Sequence, residues 1–146
     1  MIGCRIFLFT NNPTYAQLPL ASDVLTLVDG SALDVCLRAR DRIHLGAVLL
    51  HHPLYGNFQP RHQPFRTLLL SEGQSPAADA FSLRFIEEAL RLFAKDAPLL
   101  PEDVPAIMRR DCALLDFELM RRTLSQSGLI EAEIAAPICG EAKQSS

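Results

Sequence analysis

The stretch from Val24 to Leu50, VLTLVDGSALDVCLRARDRIHLGAVLL, decides the fold. Val24–Val28 is a β-favouring run closed by Asp29-Gly30. Ser31 then stands three residues before Asp34, the spacing of a capping box, and predicts a helix start. Leu33, Cys36, Leu37, Arg40, Ile43 and His44 recur at i, i+3, i+4 spacing, with Asp34, Arg38, Asp41 and Arg42 on the outer face of a helix over 31–45. Gly46 suits the residue after its end. Ala47–Leu50 is another apolar run, ended by His51-His52-Pro53. Strand, helix, strand at this length is a βαβ unit with parallel strands.

Working outward, Ile6–Phe9 is a continuous apolar run stopped by Asn11-Asn12-Pro13, and Thr67–Leu70 is a fourth strand candidate stopped by Ser71-Glu72-Gly73. An amphipathic helix is expected at about 80–95, with Phe81, Phe85, Ile86, Ala89, Leu92 and Phe93 on one stripe. Pro98 and Pro101 break the chain. A longer helix is expected at about 103–127, with Ile107, Leu114, Leu115, Phe117 in part, Leu119 and Leu124 inward and Asp111 and Asp116 on a solvated face. The expected fold is α/β: one layered sheet of about four strands, at least partly parallel, packed with about three helices. Residues 1–128 form the domain, and 129–146 read as a partly frayed tail.

The 146 residues are 49% hydrophobic and 21% charged, with formal net charge −3, which excludes a disordered tail and a coiled-coil rod. The 14 basic and 17 acidic residues argue against a nucleic-acid partner. Residues 1–66 carry six Arg against four Asp and every His, so an anion partner belongs to this half. Cys4, Cys36, Cys112 and Cys139 contain no C-x-x-C pair, and reduced thiols are the expectation, Cys4 and Cys36 as buried hydrophobes. No apolar run approaches the ~20 residues needed to span a bilayer. A cytoplasmic protein without membrane attachment is expected.

Open α/β sheets bind ligands beyond the carboxyl ends of their strands, where helix N-termini also point. If the first strand is parallel to its neighbours, Asn11, Asn12, Asp29, Ser31 and His52 converge on one cleft. The loop over 53–66 then hangs above it with Tyr55, Asn57, Arg61 and His62. Such a cleft suits a carboxylate or phosphate. His51 and His52 are adjacent and point to opposite strand faces, so they do not share a metal, and no metal site is expected. Arg40 and His44 form a second cluster at the opposite edge, structural or at an interface. None of the common phosphate-loop, dinucleotide, zinc-protease or nucleophile-elbow patterns occurs, and no cofactor is expected.

Several ordered blocks resemble the GrdX family: Thr10-Asn11-Asn12-Pro13; Asp29-Gly30-Ser31 with Leu33-Asp34-Val35; and Arg40-Asp41-x-Ile43-His44-x-Gly46. Leu49-Leu50-x-His52-Pro53-Leu54-x-Gly56-Asn57 and Pro60-x-x-x-Pro64-Phe65 continue the likeness, which covers about residues 6–71 and, more loosely, the helix at 80–95. Gly56-Asn57 and Pro60-Arg61-His62-Gln63 depart from the family's pattern, and the region from 97 onward has no counterpart in it. The resemblance implies a non-catalytic accessory protein of the glycine, sarcosine and betaine reductase system in anaerobic amino-acid metabolism. A reductase component or a small anionic ligand is then the expected partner, with a homo-oligomer also open. The competing reading is a small α/β enzyme or ligand-binding domain holding a carboxylate or phosphate at the strand carboxyl ends.

Overall fold

A computed structural model describes residues 5–56, 59 and 62–137. Strand β1 (Ile6–Thr10) leads through a 3-10 turn at Pro13–Gln17 to β2 (Leu25–Leu27), then helix α1 (Ala32–His44) and β3 (Val48–Leu49). Strand β4 (Thr67–Ser71), helix α2 (Ala80–Lys95), a 3-10 turn at Pro101–Asp103 and helix α3 (Ala106–Gln126) follow. The sheet order is β2-β1-β4-β3. β1 and β2 are parallel, whereas β4 is antiparallel to both β1 and β3. β1, β2 and β3 therefore share one direction.

This is a single mixed α/β sheet with three helices. The βαβ reading holds in direction but not in adjacency, because β1 and β4 stand between β2 and β3. Period-two alternation assigns the strand residues to two cores. Phe7, Phe9, Leu68 and Leu70 pack with Val35, Cys36, Ala39 and Ile43 of α1 and Ile86, Ala89 and Phe93 of α2. Leu8 and Leu69 face the other way, onto Tyr15, Phe117, Met120 and Leu124. Helices cover both faces, which is why β1 and β4 read as continuous apolar runs rather than alternating ones.

Helix α1 starts where expected. Ser31 Oγ accepts from the Leu33 N–H at 3.2 Å, and Asp34 Oδ2 accepts from the Ser31 N–H at 2.8 Å. Helix α3 differs from its expected facing. Phe117 and Leu124 are inward as expected, joined by Ala113, Asp116 and Met120, while Ile107, Leu114, Leu115 and Leu119 are exposed. Both stripes are apolar at helical spacing, so the pattern alone does not choose between them. Beyond α3, Ile130 is buried and Leu129, Ile134 and Ala136 pack on the second core. Arg121 donates to the carbonyls of Ala132 and Ile134 at 2.9 and 2.7 Å.

Candidate functional site

The shared direction of β1, β2 and β3 brings their carboxyl ends, the α1 N-terminus and the start of β4 to one edge. Asn11 clamps that edge. Its Nδ2 donates to the Gly30 and Pro64 carbonyls at 3.0 and 2.8 Å, and its Oδ1 accepts from the Arg66 N–H at 2.9 Å. Asn12 caps the 3-10 turn, its Oδ1 accepting from Thr14 N–H and hydroxyl at 3.1 and 2.8 Å. The Asn12 Nδ2 reaches α3, donating to the Ala113 carbonyl and Asp116 Oδ2 at 2.9 and 3.1 Å. Ser31 is engaged in capping α1. These three side chains spend their polar groups inside the fold.

A cavity of about 290 Å³ opens at the same edge, with Asn11, Asp29, Phe65, Glu102 and Arg109 among its lining. Arg109 Nη2 donates to the Val104 carbonyl at 2.9 Å, and its buried Nε has no partner among the described residues. Asp29 is exposed at the rim. His52 is elsewhere: its Nδ1 accepts from the Leu54 N–H at 3.0 Å, and its ring lies 5.1 Å from Phe85 of α2. The sheet order separates them, since β3 is the strand farthest from β2. Asn57, Arg61, Cys4 and Cys139 lie outside the described residues.

Behind the edge lies a buried polar network centred on Asp116, a fully buried residue rather than a solvated one. Its carboxylate accepts from Thr67 Oγ1 at 2.7 Å, from Asn12 Nδ2, and from the Tyr55 hydroxyl. The Tyr55 oxygen in turn accepts from the Thr67 N–H at 2.7 Å. Thr10 and Thr67 hydroxyls meet at 2.8 Å, and Thr10 Oγ1 accepts from the Asn12 N–H at 3.0 Å. Three donors compensate a carboxylate that could not otherwise be removed from water. Burial first, then the Asp116 charge, pushes the Tyr55 hydroxyl well above its usual pKa. Tyr15 is raised for the same two reasons.

On the other side of Tyr55 lies Arg66, also fully buried, with Cζ 4.3 Å from the ring centroid. Its Nη1 donates to the Pro53 and Tyr55 carbonyls at 3.3 and 3.0 Å, while Nε and Nη2 are unpartnered among the described residues. Tyr55 thus stands between a buried cation and a buried anion. The sequence reading missed Asp116, Thr67 and Arg66 as a group. For Asp116 the spacing admits burial, since residues 113, 116, 117, 120 and 124 follow i, i+3, i+4, i+7, i+11, but it does not single this stripe out from the competing one.

The Cys36 thiol is buried and pushed up to about 12 by desolvation, only partly offset by the Arg66 charge, which makes it a packing group. At the opposite edge, Arg40 pairs with Glu87 of α2 at 3.7 Å instead of packing inward. Both side chains are over a third exposed, so the pair contributes little. His44 is exposed in the last turn of α1, where a cation complements the helix dipole. Among the described residues no group of three His, Cys, Asp or Glu side chains could hold a metal ion, and no helix is long and apolar enough to cross a membrane.

No curated protein and no solved structure shows significant similarity to the chain. A family model described as GrdX-like protein does match, over residues 7–125. The match extends the likeness well past residue 97, through almost all of α3 and the Asp116 network. Spanning 119 of the 146 positions, it establishes that the chain belongs to the GrdX-like protein family.

Proposed function

We propose that this protein is a non-catalytic accessory component of the glycine, sarcosine and betaine reductase system of the cytoplasm, and that it acts by binding a reductase component. The family supports the pathway context. The observation that carries the mode of action is the outer face of α3. Ile107 and Met108 are 75% and 54% exposed, and Leu114, Leu115 and Leu119 continue the apolar surface along the helix. Met108, Leu115 and Leu119 recur at i, i+7, i+11, the spacing of a face that packs on another helix or groove. Behind it, Asp116 and Phe117 fix the helix on the sheet, so the face is presented on a rigid support.

Capture of each purified reductase component by the immobilised full chain tests this reading. One component is expected to bind, and Leu115→Glu with Leu119→Glu is expected to abolish capture while leaving the melting temperature nearly unchanged. No capture of any component, or capture insensitive to the double substitution, overturns it.

The second reading is a ligand-binding domain at the strand carboxyl ends. It draws on the cavity beside Asn11 and Asp29, where Arg109 offers an Nε unpartnered among the described residues to a carboxylate or phosphate. A thermal-shift panel of glycine, betaine, acetyl phosphate, phosphate and nucleotides is expected to yield one stabilising ligand. At about 100 Kd such a ligand adds roughly 2.7 kcal/mol. Persistence of that shift in Arg109→Ala would remove this site from consideration.

A further inference from the structure

The edge away from the strand carboxyl ends holds a separate cavity of about 310 Å³ where the end of α1, the start of β1 and the segment after β4 meet. Two arginines from different elements converge there. Arg5 and Arg42 both stand against the Phe7 ring, with Cζ 5.1 and 4.3 Å from its centroid. Their guanidinium carbons therefore lie no more than 9.4 Å apart. No carboxylate among the described residues is within ion-pair distance of either one. Glu72 lines the same cavity, its N–H donating to the Arg5 carbonyl at 2.8 Å, and its carboxylate is not in ion-pair contact with either arginine.

The ring that both cations stand against is itself only 5% exposed, and Arg42 is half-buried against it while Arg5 is exposed. The opposing wall is set by backbone meeting backbone. Gly46 has φ +108°, and a Cβ there would lie 2.4 Å from the Ser75 carbonyl oxygen. A Cβ on Gly73 would lie 1.9 Å from the Gly46 carbonyl oxygen. Two glycines thus let the 72–76 segment press against the exit of α1. Gln74 and Ser75 add polar groups to the lining, and Leu45 and Pro76 add apolar ones.

The geometry points to a phosphate-class oxyanion, inorganic phosphate or a small phosphomonoester, bound between Arg5 and Arg42. Two guanidinium forks reach one tetrahedral anion from separate directions and relieve their mutual repulsion by sharing it. The volume exceeds that of phosphate and leaves space for a short organic part along Leu45 and Pro76. Glu72 and the negative end of the α1 dipole, in whose last turn Arg42 stands, both oppose the anion and weaken its binding. This site is independent of the α3 face and of the Arg109 cavity.

Isothermal titration of the full chain with inorganic phosphate and with glycerol phosphate, at constant ionic strength and with chloride as control, tests the assignment. Saturable binding of one or both is expected. Arg5→Ala and Arg42→Ala should each weaken it about tenfold, the loss of a charge-assisted contact, and Arg42→Lys should recover part. Glu72→Gln should tighten binding, a gain that a loosened fold would not produce. Arg109→Ala should leave it unchanged. Absence of saturable binding by either anion overturns the assignment, as does binding that survives the double Arg5→Ala, Arg42→Ala variant, responds to Arg109→Ala or ignores Glu72→Gln.

Discussion

His51 acts as a neutral ring that completes a sheet edge. Its Nε2 accepts from the Leu69 N–H at 3.0 Å, and its Nδ1 lies 2.9 Å from the His52 carbonyl, which assigns the proton to Nδ1. Protonating Nε2 would break the bond from Leu69. Burial pulls its pKa down to about 4, the bond to His52 opposes this, and the Arg66 and His52 charges reinforce it. A histidine whose folded pKa is depressed contributes stability that is complete above its unfolded value, near 6.5. That contribution is lost as pH falls toward 4, because the unfolded chain takes up the proton first. Urea unfolding of the parent should lose up to about 3 kcal/mol from this group between pH 7 and pH 4. In His51→Leu that part of the slope should vanish; equal slopes in the two proteins would refute the neutral-ring role. Adjacent histidines in extended chain were expected on opposite faces, and they part accordingly, His51 toward Tyr55 and His52 toward Phe85. Where each ring went was not legible, because Leu69 and Phe85 are distant in sequence.

Helix α1 and helix α3 mark the two ends of what an element discloses by itself. The start of α1 is local, since Ser31 and Asp34 satisfy each other's termini within four residues. Ser31→Ala should therefore cost about 1 kcal/mol in chemical denaturation, with little change in the denaturant slope. Of its expected inward stripe, Cys36 and Ile43 are buried and Leu33 and Leu37 half-buried, whereas His44 is exposed and Arg40 reaches sideways to Glu87; Ala32, Val35 and Ala39 complete the buried face. Helix α3 carries two apolar stripes, and tertiary packing chose the one containing Asp116. A carboxylate in the middle of a stripe argues for the outside until Thr67, Tyr55 and Asn12 are known to meet it. Such donors come from residues 49 to 104 positions away, beyond the reach of any local pattern.

Across the whole molecule, the Asp116 network joins α3, β1, β4 and the segment that follows β3. Asp116→Asn keeps the shape but removes the charge that three donors were arranged around, and should cost about 3 kcal/mol. Tyr55→Phe should cost about 1 kcal/mol, and the double variant less than the two together, because both remove the same contact. A strictly additive cycle in urea would show that the tyrosine and the aspartate act independently. The number of strands, the helices between them and the α/β class were readable from runs and stops in the chain. The order β2-β1-β4-β3 was not, because it is set by pairing between segments some sixty residues apart. That order also explains the separation of His52 from Asn11: the strand inserted between their parents is the last to be reached along the chain.

The late arrival of β4 has a consequence during synthesis. β1 leaves the ribosome before β4 and can pair first with β2, but its other edge has no mate until residues 67–71 are made. At ~5–20 residues per second, the forty or so intervening residues take about 2–8 s. Throughout that interval Ile6-Phe7-Leu8-Phe9-Thr10, a five-residue apolar strand, presents unpaired N–H and C=O groups to any other nascent chain. The interval when the newborn protein is most open to misassociation is thus written into the position of one strand.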